Sequence, residues 1–150
     1  MRALTYHGTR DVRVESVPDP VIQEADDVIL RVTATAICGS DLHLYRGKIP
    51  ATEQGDIFGH EFMGVVEEVG PEVTSVKKGD RVIISCVSRC GTCENCQKQL
   101  YAHCRNGGGW IMGYMIDGAH AEYVRTPFAD TSLYPLPEGL NEDVAVFLSD

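Results

Sequence analysis

Residues 59–70 have the sequence GHEFMGVVEEVG, in which a histidine and a glutamate precede a run of apolar residues. The run from Phe62 to Val69 predicts a β-strand, and Gly70 with the proline that follows it ends that strand. His60 and Glu61 therefore stand at the start of a strand, where an imidazole and a carboxylate are candidate metal ligands. The alternative is that the two side chains form an ordinary hydrogen-bonded pair at the surface.

Short strands are also predicted on both sides of this stretch. Segments in which polar and apolar residues alternate, or which are rich in β-branched residues, lie at residues 11–15, 28–37, 81–85 and 119–126. Residues 38–47 lack this pattern and predict one short helical turn in a loop. Asn141 is typical of a helix N-cap, and its helix is predicted to run toward Asp150. Many short strands with little helix favour a mainly β fold, a barrel or a folded sheet.

Composition and charge exclude several classes of function. The chain has 150 residues, enough for one domain, and a formal net charge of -9. Its basic residues are scattered, so we expect neither a nucleic-acid partner nor a membrane partner. No apolar run approaches the roughly 20 residues of a membrane span, and the N-terminus has no signal-peptide pattern. We therefore expect a cytoplasmic protein, whose six cysteines are metal ligands or free thiols.

Four of these cysteines have the spacing C-x2-C-x2-C-x7-C and are Cys90, Cys93, Cys96 and Cys104. Short spacings let tight turns aim successive sulfurs at one centre, and four thiolates around zinc make a closed tetrahedral site. Such a site organises a segment that has no core of its own, here about residues 86–109. Disulfides and an iron–sulfur cluster are the alternatives, and His103 could replace one cysteine, although we expect it at the surface. We predict one structural zinc.

A second group of candidate ligands lies earlier in the chain. Cys38, Ser40, Asp41 and His43 offer a thiol, a hydroxyl, a carboxylate and an imidazole within six residues. Taken alone, Cys38 at a strand end is equally well explained as a buried thiol. The segment becomes informative only in combination with His60.

Three motifs together resemble those of the zinc-containing medium-chain alcohol dehydrogenases. They are, in chain order, Cys38-Gly39-Ser40-Asp41, then Gly59-His60-Glu61-x-x-Gly64-x5-Gly70-x-x-Val73 followed by Gly79-Asp80-Arg81-Val82, and Gly118-x-x-Ala121-Glu122-Tyr123-Val124. The four-cysteine segment also lies where that family carries its own. The resemblance covers almost the whole chain, and it implies that residues 1–150 form the GroES-like β-barrel catalytic domain, with a C-terminal helix.

The resemblance also implies a ligand set for a catalytic zinc. Cys38 and His60 would be two ligands, and Asp150 matches the position of the third. An aspartate there is similar to the formaldehyde-dehydrogenase and secondary-alcohol-dehydrogenase branches, whereas liver-type members use cysteine. Glu61 is a fourth group that approaches the metal in some members. Asp41 would accept the second ring N–H of His60 and so fix its tautomer.

The chemistry implied is oxidation of an alcohol, bound to zinc as the alkoxide, by hydride transfer to NAD or NADP. The Ser40 hydroxyl would take the proton of the alcohol, and His43 would pass it toward solvent. Cys86 and Trp110 are candidates for the substrate pocket, although a buried strand thiol and a plain core tryptophan are the simpler interpretations. The substrate would be a small alcohol or aldehyde.

No G-x-G-x-x-G motif occurs, so we expect the Rossmann domain that binds NAD or NADP to be absent from this chain. We also expect these 150 residues to be inactive alone and the full-length enzyme to be a homodimer or homotetramer carrying two zinc ions per subunit. Two other interpretations compete: a stand-alone zinc-binding structural or interaction module without activity, and a zinc-free quinone reductase of the same superfamily. Cys38, His60 and the four-cysteine segment argue against the second.

Overall fold

The computed structural model describes residues 1–150 and is mainly β, as predicted. Its strands are β1 Arg2–Gly8, β2 Asp11–Ser16, β3 Val28–Ala36, β4 Glu61–Val69, β5 Arg81–Ile84, β6 Tyr123–Thr126 and β7 Leu133–Pro135. Five of them form an antiparallel sheet with the order β6-β3-β4-β5-β7, and β1 pairs only with β2. Isolated bridges at Ala3–Ala121 and Thr5–Ile57 connect β1 only to the segments that precede β6 and β4, so no continuous ladder closes the two sheets into one barrel.

Helices are few and short. They are α1 Gly39–Tyr45, α2 Glu94–Gln97, α3 Ala129–Ser132 and α4 Glu142–Ala145, with 3-10 turns at Tyr101–His103 and Val146–Leu148. The predicted N-cap is confirmed, because the side chain of Asn141 accepts a hydrogen bond from the backbone N–H of Asp143 at 2.9 Å. None of the helices has the length or the apolar character that crossing a membrane requires.

Two predicted elements differ from the structure. Residues 38–47 form a seven-residue helix rather than one turn, because Asp41 at its third position reaches back and accepts from the Cys38 backbone N–H at 2.9 Å. The strand predicted at 119–126 begins only at Tyr123. The backbone N–H of His120 donates instead to Phe58 O at 2.8 Å, which ties this segment to the loop before β4.

The central sheet carries apolar side chains on both faces. On one face Phe62 and Val66 are fully buried in the main core with Val28 and Leu30 of β3. Successive strand residues point to opposite faces, so Met63 lies on the other side, where it packs with Ile83, Ala145 and Val146. Fully burying such a side chain stabilises the fold by about 1.5–3 kcal/mol. The second cluster holds the C-terminal helical segment against β4 and β5.

Gly59, just before β4, is required by its surroundings. Its φ is +104°, and a Cβ there would lie 2.8 Å from both the backbone N and the Nδ1 of His120. Only glycine combines that backbone conformation with so close an approach. The glycine that opens the GHE motif therefore lets residues 118–120 pack directly against the residue before His60.

Candidate active site

Four side chains converge where β3, α1, β4 and the C-terminal segment meet. The ligand atoms of Cys38, His60, Glu61 and Asp150 all lie within 4.8 Å of one another. Cys38 is the N-cap of α1, Glu61 is the first residue of β4, and Asp150 follows the C-terminal helical segment. Residues 112 positions apart in the chain, Cys38 and Asp150, are thereby in contact, with Sγ donating to Oδ2 at 3.6 Å.

The ring of His60 is oriented by polar groups on both of its edges. Its side chain is 3% exposed, and its Nδ1 lies 3.5 Å from Oδ1 of Asp41. Its Nε2 lies 3.1 Å from the Ser40 hydroxyl. A carboxylate accepts but cannot donate, so the ring proton belongs on Nδ1 and leaves Nε2 with a free lone pair. That lone pair is what a metal ligand needs.

Asp41 is a buried carboxylate. Burial alone would raise the pKa of Asp41, but contacts with His120 and His60 and the N–H of Cys38 together hold it well below its ordinary range. Asp41 is therefore an anion beside His60, and its role in fixing the orientation of that ring stays a prediction.

Asp150 is held from two sides. The Cys86 thiol donates to its Oδ1 at 3.3 Å, and the Cys86 backbone N–H donates to Ser149 O at 3.1 Å. The hydrogen bond from Cys86 lowers the pKa of Asp150. Burial and, after it, the neighbouring Asp150 carboxylate together raise the pKa of Cys86 to about 12. Cys86 therefore lies beside the candidate ligands, with its thiol in contact with the Asp150 carboxylate.

The donor set fits a zinc ion. Thiol, imidazole and carboxylate are the ligand types that zinc takes, and bonds of about 2.0–2.3 Å to a tetrahedral ion place ligand atoms about 3.3–3.8 Å apart. The 4.8 Å span of this group needs only small side-chain adjustments to reach that spacing. Nδ1 of His60 and Oδ1 of Asp41 are buried, face each other at 3.5 Å and have no hydrogen-bond partner. A cation on Nε2 would strengthen the contact between these two atoms.

The two predicted proton carriers lie on α1, three residues apart. Ser40 is half-buried and faces His60, whereas His43 is exposed on the next turn of the helix. Residues three apart lie on the same helix face. No hydrogen bond joins the two side chains directly, so a proton passing between them would cross solvent or a bound molecule. Their catalytic roles stay predictions.

Trp110 packs against the ring of His60. Its ring contacts the imidazole edge-on, with centroids 5.6 Å apart, and stacks on Tyr114 at 5.0 Å. The indole therefore packs beside the candidate metal group. Sequence reasoning did not find Tyr114, because nothing local separates a site aromatic from a core one. Substrate contact by Trp110 or Cys86 stays a prediction.

The four-cysteine segment forms a second convergent group. The sulfurs of Cys90, Cys93, Cys96 and Cys104 lie within 4.8 Å of one another, and all four are free thiols in the structure. Backbone N–H groups point at them, from Cys93 to Cys90 Sγ and from Arg105 to Cys93 Sγ, each at 3.4 Å. The geometry fits one tetrahedral zinc. His103 is exposed and lies outside the group, as expected.

Within this segment the sulfurs differ in their surroundings. Burial alone would raise the pKa of Cys90, but hydrogen bonds from Thr92 and Cys93 outweigh it and lower the pKa to about 6. Burial raises the pKa of Cys96 to about 12. Four clustered thiols cannot all ionise without a cation, so they favour a metal that neutralises them together.

One polar residue near the site was missed. His120 Nε2 lies 3.5 Å from Oδ2 of Asp41, the carboxylate whose other oxygen faces His60. It occupies a variable position of the motif from Gly118 to Val124. Only the tertiary contact with Asp41 distinguishes it.

Comparison with known proteins places this geometry in a family. The profile of the alcohol dehydrogenase GroES-like domain matches residues 24–138. An uncharacterised zinc-type alcohol dehydrogenase-like protein of Bacillus subtilis (strain 168) is 47% identical to the chain, and the match covers 95% of this chain and 40% of that relative. A glutathione-independent formaldehyde dehydrogenase of Pseudomonas aeruginosa is 40% identical, and that match covers 91% of this chain and 37% of the relative.

Solved structures of alcohol dehydrogenases share this fold. A zinc-dependent alcohol dehydrogenase 2 from Streptococcus pneumoniae, in its apo form, superposes with a TM-score of 0.93 at 47% identity, over 99% of this chain and 42% of that one. The alcohol dehydrogenase TADH from Thermus sp. ATN1 gives 0.91 at 40% identity, over 100% and 44%. The chain thus spans about two fifths of the relatives named here. It belongs to the family of alcohol dehydrogenase GroES-like domains.

Proposed function

We propose that this chain is the catalytic domain of a zinc-dependent alcohol or aldehyde dehydrogenase that works with NAD or NADP. The observation that supports this most directly is the convergence of Cys38, His60, Glu61 and Asp150, with the Ser40 hydroxyl against His60. With Cys38, His60 and Asp150 as ligands and Glu61 not bound, the fourth position would be open to a substrate, which suits a catalytic zinc better than a structural one. Relatives that are named zinc-type alcohol dehydrogenases and formaldehyde dehydrogenase point the same way.

Each residue then has a role. Cys38, His60 and Asp150 would hold the zinc, with Glu61 as an alternative or fourth ligand. The zinc would supply a Lewis acid that makes an alcohol hydroxyl acidic. Ser40 would accept the released proton, and exposed His43 would pass it to solvent. The buried imidazole edge and Trp110 would exclude water from the reacting carbon.

The remaining features of the enzyme are also proposals. Hydride acceptance would belong to NAD or NADP bound by a Rossmann domain outside these residues, since this chain has no G-x-G-x-x-G motif. A second, structural zinc would sit in the four-cysteine segment, which spans about residues 86–109. Small alcohols and aldehydes are the proposed substrates. A cytoplasmic location and a homodimer or homotetramer stay predictions.

The test is metal content together with turnover, measured on the protein at its natural length. We expect two zinc ions per subunit and NAD- or NADP-linked oxidation of at least one alcohol or aldehyde in a panel. Ser40→Ala should keep both zinc ions and lose about 100-fold or more in turnover. Cys38→Ser should lose one zinc and all activity.

The matched control is Ser75→Ala, which removes a serine hydroxyl that contacts Asp130 on the surface, away from the site. Its turnover should equal that of the wild type. Two bound zinc ions without turnover of any substrate would favour a structural or interaction module instead. Turnover that persists in Cys38→Ser would contradict the proposed metal site.

A further inference from the structure

His120 shares a carboxylate with the candidate metal ligand His60. The two oxygens of Asp41 face different rings, with Oδ1 3.5 Å from His60 Nδ1 and Oδ2 3.5 Å from His120 Nε2. All three side chains are buried, with exposures of 3% for His60, 5% for Asp41 and 8% for His120. One anion therefore links two imidazoles in the interior.

These polar atoms have no alternative partners. Oδ1 of Asp41, Nδ1 of His60 and Nε2 of His120 are all buried and make no hydrogen bond at the observed distances. Leaving buried polar atoms unpaired is costly, so each ring nitrogen is best satisfied by pointing its proton at the carboxylate. Closing each contact by a few tenths of an ångström completes both bonds.

His120 is itself fixed from its other edge. Its Nδ1 lies 3.1 Å from the Thr35 hydroxyl, whose oxygen is also 3.1 Å from Glu61 O. When this hydroxyl donates to Nδ1, the ring proton of neutral His120 is on Nε2 and faces Asp41. Its ring and backbone also press against Gly59, where a Cβ would lie 2.8 Å away. The imidazole is thus wedged between β3 and the residue before His60, and it cannot turn away from Asp41.

We propose that His120 is a positioning residue for the metal site: it anchors one oxygen of Asp41 so that the other stays aimed at His60 Nδ1. This rests on the proposed function in one respect, that His60 binds the metal through Nε2. Without His120, Oδ2 of Asp41 keeps only the Cys38 N–H as a donor, and the carboxylate can turn about that single hydrogen bond. His60 would then lose the partner that fixes its tautomer and ring orientation.

The test measures metal affinity rather than turnover, on the protein at its natural length. The metals are removed and replaced by cobalt(II), whose visible absorption reports coordination geometry, and a chelator is titrated against it. The variants are His120→Phe, His120→Gln, Asp41→Asn and the double variant of His120→Phe with Asp41→Asn. Glutamine keeps an N–H near the position of Nε2, whereas phenylalanine keeps only the shape. The four-cysteine segment serves as an internal control for folding.

His120→Phe should weaken binding at the Cys38–His60 site by about 3–10-fold, and Asp41→Asn by about 10–100-fold. His120→Gln should restore most of the loss, and His120→Phe should add nothing once Asp41 is replaced. Affinity within twofold of the wild type in His120→Phe, or an undiminished further loss in the double variant, would overturn the positioning role alone. A wild-type protein that binds no cobalt at Cys38 and His60 would overturn the proposed function with it.

Discussion

Replacing Gly59 by alanine perturbs the site through two separable costs. At a φ of +104°, an alanine backbone is strained by about 1–3 kcal/mol. The new Cβ would also lie 2.8 Å from the backbone N of His120, which cannot move without breaking its hydrogen bond to Phe58 O. Overpacking of this kind costs about 1–3 kcal/mol. We therefore expect Gly59→Ala to lower the free energy of unfolding by about 2–6 kcal/mol.

The chain offers a matched control for the backbone cost. Gly55 has nearly the same φ, +102°, but a Cβ there would meet nothing within 4 Å. Gly55→Ala should therefore cost only the strain, about 1–3 kcal/mol. Urea unfolding of both variants, with zinc present throughout, measures each free energy. The close-packing argument is wrong if the two variants are equally stable, and the strain argument is wrong if Gly55→Ala matches the wild type.

Three further perturbations test other parts of the structure. Cys93→Ser should release one zinc and lower the melting temperature by about 10 °C. Cys38→Ser should also release one zinc, but with a much smaller fall in melting temperature. Equal falls in calorimetry would refute a structural role for the four-cysteine segment. Hydrogen bonds with the 74–75 turn lower the pKa of Asp130 from 3.8 to about 2, even though burial opposes them. The wild type should therefore be more stable than Asp130→Ala by its full margin above about pH 4, and this margin should shrink as the pH falls through about 2. A margin in the free energy of unfolding that does not change with pH would contradict this reasoning. Trp110→Phe should keep the contact with His60 and shift only substrate preference, while Trp110→Leu should also destabilise the fold; identical melting curves for the two would refute the packing role.

The outline of the fold could be predicted because it depends on local patterns. Alternation placed β2, β3, β4 and β5 within a residue or two of their observed bounds, and Asn141 marked the start of α4. Predictions were less accurate where a tertiary contact overrides the local preference. Asp41 lengthens the predicted turn into a helix by capping it, and residues 119–122 leave the strand to bond with the loop before β4. β7 and α3 were not predicted, because they are too short to have a periodicity.

The sequence by itself determined which candidate ligands are present and, for the four-cysteine segment, that they lie together. Its cysteines lie within fifteen residues, and turns of that length leave few ways to arrange four sulfurs other than around one centre. For the second site the motifs, through a family resemblance, named Cys38, His60 and Asp150 without their geometry. Only the tertiary structure decided that Asp150 meets Cys38 across 112 residues and that His120 shares Asp41 with His60. The physical reason is that such contacts depend on strand register and on packing of the C-terminal segment against Met63, which no local pattern encodes.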